Sequence, residues 1–182
     1  MNTTEKKEFL KKLIQEDDAA LAITLQNFRE NADFEVLPNV LELLASPRSQ
    51  DIKDYITNLC SQIRSQDAAF IVFDFMMQTS LPDVKKNMLA ALWQTGLDFS
   101  DKIHSIVSII KECNDFETML EAFTLLENCT DKVNTATAAA LRDDMVLNLP
   151  SIASHLKPLY TAAIENLGNK KVIPNAFNIT TD

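Results

Sequence analysis

The chain has 182 residues, 46% hydrophobic and 24% charged, a composition that fits one compact soluble domain with a sizeable core. Lys and Arg number 17 against 26 Asp and Glu, and the resulting net charge of −9 disfavours binding to nucleic-acid phosphates or anionic membranes. Only two glycines occur, which excludes the glycine-rich phosphate loops of nucleotide-binding proteins.

Apolar residues recur at helical spacing almost throughout the chain, for example at Leu37, Val40 and Leu41. No segment shows the alternation of apolar and polar residues that is typical of a strand. The spacing predicts ten helices, in chain order at residues 4–15, 17–30, 34–45, 49–64, 67–79, 81–95, 101–113, 115–129, 133–148 and 151–167.

The most apolar of these segments begins at residues 68–73 and continues past Asp74 to helix length. A helix that is apolar on nearly all sides must be buried between neighbours, so Asp74 is expected to pair with a cation or to face a gap at the helix surface. We expect one helical domain over residues 1–168, followed by an irregular tail at 169–182.

The strongest signal is an internal repeat. The stretches DIKDYITNL, DVKKNMLAAL and DFETMLEAFTLL begin at Asp51, Asp83 and Asp115 and align without gaps at a period of 32 residues. Residues one, five and eight positions after each aspartate share one helical face. The alignment therefore predicts three equivalent second helices of two-helix units, which bury Ile52, Ile56 and Leu59, then Val84, Met88 and Ala91, then Phe116, Leu120 and Phe123.

The predicted helix at residues 115–129, which is the second helix of the third unit, starts with a capping pattern. Asn114 is its expected N-cap residue, and Glu117 lies three residues later. A fourth unit is predicted from Ser151, but Pro158 interrupts it, so the last helix begins either there or near Lys157. Residues 4–30 are either a degenerate first unit or a cap.

The segment PDVKKNMLAAL at residues 82–92 resembles the second helix of HEAT-type repeats, in which an aspartate precedes valine, a basic pair and small or apolar residues. The resemblance covers about residues 34–167, and the 32-residue period points to a shorter class than the roughly 40 to 47 residues of long HEAT units. Gly96 and Gly168 match the glycine that commonly closes the second helix. The resemblance implies an all-α, right-handed α-α superhelix of about four to five helix pairs, whose second helices line a concave face that holds a protein partner.

Positions three, six and ten residues after each repeat aspartate point away from the predicted apolar face, so their side chains are expected to be exposed. Three such side chains, Leu89, Trp93 and Leu125, are nevertheless apolar. We interpret them as a small partner-binding patch with Trp93 as the aromatic anchor and with Lys86 and Glu121 as its polar rim. The alternative is that neighbouring helices, the tail or a second copy of the chain cover these residues.

We predict no catalytic residue and no metal ligand. His104 aligns with valines of the other units and is expected to replace an apolar packing residue, and no ligand motif surrounds it or His155. The acidic pairs at residues 17–18 and 143–144 are adjacent in sequence, so within a helix they do not face each other as a catalytic dyad must. The odd number of cysteines, none at zinc-binding spacing, indicates reduced thiols and a cytoplasmic location.

These observations predict a non-enzymatic protein–protein interaction module of the scaffold, adaptor or inhibitor type, without a cofactor. Its acidity favours a basic protein partner, and a second copy of the chain is the other candidate. The alternative function is that of a HEAT-like enzyme of the chromophore-lyase or DNA-glycosylase type, which the acidic charge and the lack of catalytic motifs disfavour. The alternative fold is a plain helical bundle in which the internal period is a coincidence.

Overall fold

The structure of the protein, a computed structural model, describes residues 1–30 and 34–169. The described residues form ten α-helices and no β-strand, so the fold class is all-α as predicted. No helix within them is long and apolar enough to cross a membrane. The α-helices are α1 (Thr3–Gln15), α2 (Asp18–Glu30), α3 (Leu37–Glu42), α4 (Gln50–Ser61), α5 (Gln66–Gln78), α6 (Pro82–Gln94), α7 (Ile103–Glu112), α8 (Phe116–Thr130), α9 (Thr135–Asn148) and α10 (Lys157–Gly168).

Helix α10 begins at Lys157, the later of its two predicted starts. Pro158 lies in its first turn, where proline is tolerated because the missing N–H would have no partner within the helix. The residues before it form a 3-10 turn at Leu149–Ser151, so the helix expected from Ser151 is not continuous. The predicted irregular tail lies, apart from Asn169, outside the described residues.

Helices two apart along the chain pack against each other. The even-numbered helices form one row, in which α2 contacts α4, α4 contacts α6, α6 contacts α8 and α8 contacts α10. The odd-numbered helices pack on this row: α5 contacts α6, α7 contacts α8 and α9 contacts α10. The apolar core lies between the odd-numbered helices and the row as one connected cluster.

Helix α5 packs between α3 and α6 and buries one broad face through Ala68, Ala69, Val72, Phe73 and Met76, beside which Phe70, Ile71 and Phe75 are half-buried. Asp74 lies on the remaining exposed side, where its Oδ1 accepts a hydrogen bond of 2.8 Å from Lys102 Nζ. The expectation that Asp74 pairs with a cation is therefore confirmed.

His104 lies on the exposed side of α7, so its expected packing role is wrong. A 3-10 turn at Ser100–Lys102 precedes α7. The side chains of α7 therefore point in other directions than the alignment with the earlier units predicts. The isoleucines at positions 103, 106 and 110 occupy the core instead.

Polar side chains join successive helix pairs at sequence separations close to the repeat period. Lys111 Nζ donates to Asp144 Oδ2 at 2.6 Å across a separation of 33 residues, which joins α7 to α9. The side-chain amide of Gln66 donates to Asp98 O at 2.6 Å and accepts from Asp98 N at 3.2 Å, across 32 residues. These contacts set the position of each helix pair relative to the next.

Arg48 fastens the first two helices to the rest of the chain. Its guanidinium donates to Leu13 O at 2.9 Å, to Glu16 O at 2.7 Å and to Asp18 Oδ1 at 3.0 Å. The amide of Ser49 donates to Asp18 Oδ2 at 2.8 Å. Because the two carbonyls lie at the C-terminal end of α1, where no helical partner is left for them, the guanidinium caps that helix.

We expect Arg48→Lys to lower the free energy of unfolding by about 1–3 kcal/mol, because an ammonium group cannot reproduce the forked set of hydrogen bonds. Urea unfolding followed by circular dichroism measures the change. Arg64→Lys, at an exposed arginine, is the matched control and should change stability by less than about 0.5 kcal/mol. Equal effects of the two variants would show that the Arg48 contacts contribute nothing.

In acid, the free energy of unfolding should also depend on the ionisation of Asp18. Hydrogen bonds from the side chain and amide of Ser49, with Arg48 adding to them, lower the pKa of Asp18 below its ordinary 3.8. Because the folded pKa is the lower one, the stabilisation is complete above about pH 4 and is lost as the pH falls through the folded pKa. We therefore expect Asp18→Asn to flatten the decline of the thermal midpoint below about pH 4, and Asp131→Asn, at an exposed carboxylate, to leave its slope unchanged.

Candidate partner-binding face

Helices α4, α6 and α8 carry the three repeat aspartates, but the third aspartate has a different position in its helix. Asp51 and Asp83 are the second residues of α4 and α6. Asp115 is instead the N-cap residue of α8, and its Oδ1 accepts from the amide of Thr118 at 2.9 Å. The second residue of α8 is Glu117. Counted between the second residues of the helices, the number of residues from α6 to α8 is therefore two greater than the number from α4 to α6.

The shift of two residues turns α8 by about 200° relative to the predicted orientation. The buried residues of α4 at Ile52, Ile56, Leu59 and Cys60 correspond to buried residues of α8 at Thr118, Ala122, Leu125 and Leu126. Phe116 and Leu120, which were expected to be buried, are 51% and 39% exposed. The gapless alignment is therefore wrong for the third segment, and so is the choice of Asn114 as its N-cap residue.

Two of the five predicted patch residues, Leu89 and Leu125, are fully buried. Leu89 is buried because α6 lies between α4 and α8, so more of its circumference is covered than a single apolar face would require. Leu125 is buried because of the altered register of α8. The prediction that these two leucines form an exposed patch is wrong.

The other three predicted residues, Trp93, Lys86 and Glu121, are half-buried on adjoining helices. Trp93 Nε1 donates to Glu121 Oε2 at 2.6 Å, which joins α6 to α8. Lys86 Nζ donates to Glu117 Oε2 at 2.6 Å, and this hydrogen bond raises the pKa of Lys86. The structure thus brings the predicted anchor and one rim residue together, and it pairs the other rim residue with Glu117, which the sequence indicated only as part of a helix-capping pattern.

One face of the row formed by α4, α6 and α8 remains open to solvent. Its residues lie three, seven and ten positions after the second residue of each helix, and none of them is buried. We call this set the second-helix face. It consists of Asp54, Asn58 and Ser61 on α4, of Lys86, Ala90 and Trp93 on α6, and of Leu120, Thr124 and Glu127 on α8.

A groove of about 270 Å³ runs along this face between α4 and α6. Its lining consists of Asp54, Thr57, Asn58, Ser61, Asn87, Ala90, Ala91 and Gln94. Amide and hydroxyl side chains can both donate and accept hydrogen bonds, and the two alanines leave room for an incoming chain. The groove is therefore suited to hydrogen bonding with a polypeptide.

The thiols are in surroundings that suppress their reactivity. Burial raises the pKa of Cys60 and of Cys129 to about 12. Burial is also the largest influence that raises the pKa of Cys113, which lines a cavity of about 350 Å³ at the starts of α6 and α8. Thiols with a raised pKa are poor nucleophiles at neutral pH. Among the residues described, no three His, Cys, Asp or Glu side chains are grouped so that they could hold a metal ion.

No protein-family model matches the chain, and no curated protein matches it closely enough to count as a relative. The second-helix face is therefore interpreted from the chain's own residues. The sequence pattern misplaced Leu89 and Leu125, which are buried, and Phe116 and Leu120, which are exposed. For α8 the relevant sequence signal is Asp115, because aspartate is a favoured N-cap residue, but aspartate is also favourable within the first turn of a helix.

Substitution of leucines distinguishes the observed orientation of α8 from the predicted one. We expect Leu89→Ala and Leu125→Ala each to cost about 2–5 kcal/mol of unfolding free energy, because each leaves a cavity in the core. Leu120→Ala, at a leucine near the surface, should cost less than about 1 kcal/mol. Urea unfolding measures all three, and a larger loss for Leu120 than for Leu125 would contradict the register described.

Proposed function

We propose that the protein is a non-enzymatic interaction module of the scaffold, adaptor or inhibitor type that holds a protein partner on its second-helix face. The observation that carries this proposal is the side-by-side row of α4, α6 and α8, whose exposed side chains share one open face. A row of helices offers a continuous surface wider than a single cavity, and extended partners bind to surfaces of this kind.

The architecture that we propose is a right-handed superhelix of HEAT-like helix pairs. Support comes from contacts between nearest neighbours: α4 packs on α6 and α6 on α8, as expected for stacked repeats. The polar pairs between units have similar separations, 31 residues for Lys86 with Glu117 and 33 for Lys111 with Asp144. The handedness follows the resemblance of residues 82–92 to a HEAT second helix.

The second-helix face is held in place before a partner arrives. Trp93 is bonded to Glu121, and Lys86 to Glu117, so two side chains of α6 are fixed against α8. Side chains that are already ordered lose less conformational entropy on association, which leaves more of the contact energy for binding.

The pKa shifts of Asp115 and Lys111 reflect structural roles of these two groups. Burial is the largest single influence on Asp115 and raises its pKa, but hydrogen bonds from Thr118 and neighbouring charges outweigh it and lower the pKa overall. The hydrogen bond to Asp144 raises the pKa of Lys111. Each of these shifts stabilises the charged form of a group that caps a helix or joins two helices.

The charge of the chain indicates the kind of partner. With a net charge of −9, it attracts basic proteins over long distances and accelerates their encounter. We therefore favour a basic protein partner over a second copy of the chain, which carries the same negative charge.

The test places an arginine in the groove between α4 and α6. The tagged protein is incubated with an extract of its native source, bound proteins are identified by mass spectrometry, and the complex is re-formed from purified components. We expect Ala90→Arg to weaken the complex at least about tenfold, because the arginine fills the groove and repels a basic partner. The matched control is Ala140→Arg, at an exposed alanine of α9, which should bind like the wild type.

Both variants are first shown to unfold within about 1 kcal/mol of the wild type, so that a loss of binding cannot reflect a loss of folding. Equal loss in both variants, or full binding by both, would contradict a partner site on the second-helix face.

A further inference from the structure

Two exposed apolar side chains lie one turn apart at the start of α8. Phe116 and Leu120 are 51% and 39% exposed, although α8 lies inside the row between α6 and α10. The equivalent positions of α6 hold Pro82 and Lys86, so this pair of large apolar side chains is a feature of α8 itself.

The apolar surface continues along α8 beyond this pair. Phe123 is half-buried and lies seven residues after Phe116, so the three side chains form a stripe at the spacing of an amphipathic helix. Trp93, which is bonded to Glu121 of α8, borders the stripe on the α6 side. We call Phe116, Leu120 and Phe123 the α8 stripe.

Carboxylates flank the α8 stripe on its α6 side and at the two ends of α8, where Glu117 accepts from Lys86, Glu121 from Trp93 and Asp115 from the amide of Thr118. The side chains of Asp83 and Glu117 are 93% and 71% exposed. The acidic groups in this region are Asp83, Asp115, Glu117, Glu121 and Glu127. Lys86 is bound to Glu117, and the other lysine of α6, Lys85, lines the cavity that contains Cys113.

We infer that the α8 stripe binds a basic amphipathic helix of a partner protein. Apolar side chains at helical spacing pack against apolar side chains of the same spacing on an incoming helix. The neighbouring carboxylates select a helix whose apolar face is flanked by Lys or Arg, and they repel an acidic one. The inference rests on the proposed function and adds to it the chemistry of the partner.

The probe is a fluorescein-labelled peptide long enough for about four helical turns, made of leucine and lysine in the order of an amphipathic helix. Two control peptides have the same length: one replaces every lysine by glutamate, and the other scrambles the leucines and lysines. Binding is measured by fluorescence anisotropy and by the emission of Trp93, the one tryptophan of the chain, which borders the stripe. We expect the Leu/Lys helix to bind at least tenfold more tightly than either control and to shift the emission of Trp93.

The decisive variant is Phe116→Ser with Leu120→Ser, which removes the exposed apolar groups. Its matched control is Val146→Ser with Leu147→Ser, which removes exposed apolar groups of 47% and 82% exposure from α9. We expect the α8 double variant to weaken binding of the Leu/Lys helix at least tenfold and the α9 double variant to leave it unchanged. Thermal unfolding of both variants, within a few degrees of the wild type, shows that each is folded.

Equal affinity for the scrambled peptide would overturn the inference, because binding would then be electrostatic only. Equal loss in both double variants, or equal binding of the glutamate peptide, would also overturn it. A dimer of the protein alone, seen by light scattering and lost in the α8 double variant, would identify a second copy as the occupant and reject the basic helix.

The same variants separate this inference from the proposed function. If a captured partner is lost with Ala90→Arg but binds normally to the α8 double variant, the groove between α4 and α6 is the partner site and the α8 stripe is not. If the Leu/Lys helix binds the stripe as expected while Ala90→Arg captures its partner like the wild type, the result supports the α8 stripe as a helix-binding surface and rejects the groove as the partner site.

Discussion

Burial of apolar side chains between helices that are neighbours along the chain is the constraint on which the rest of the structure depends. Helix α6 is packed against α4, α5 and α8, and Met88, Leu89 and Leu92 are all fully buried as a result. Ion pairs at the surface contribute little energy on their own, so the pair of Lys86 and Glu117 sets alignment more than stability. The side of α6 that has no neighbour becomes part of the second-helix face.

Large apolar side chains are exposed on the outer helices as well. Ile14 on α1, Ile23 on α2 and Leu147 on α9 are all exposed. Helix α1 is held to the rest of the chain in part by Arg48, through its hydrogen bonds to Leu13 O and Glu16 O.

The α8 region combines exposed apolar side chains with neighbouring carboxylates. Apolar side chains at an exposed position favour association, and carboxylates beside them keep the surface hydrated and selective. Phe116 and Leu120 are the apolar side chains, and Glu117 and Glu127 are among the carboxylates. The groove between α4 and α6 offers hydrogen bonds instead, so the two parts of the surface differ in the contacts that they can make.

The sequence by itself determined the helical class, most helix positions and the buried nature of α5, because helical periodicity and the balance of apolar residues are local properties of the chain. It left the rotation of α8 open, since an aspartate stabilises a helix start both as the N-cap residue and within the first turn. Only the packing of α8 against α6 and α10 selected the first arrangement, which buried Leu125 and left Phe116 and Leu120 at the surface. Whether a residue such as Leu89 is buried depends on how many helices pack against its own helix, and that number is a property of the tertiary structure.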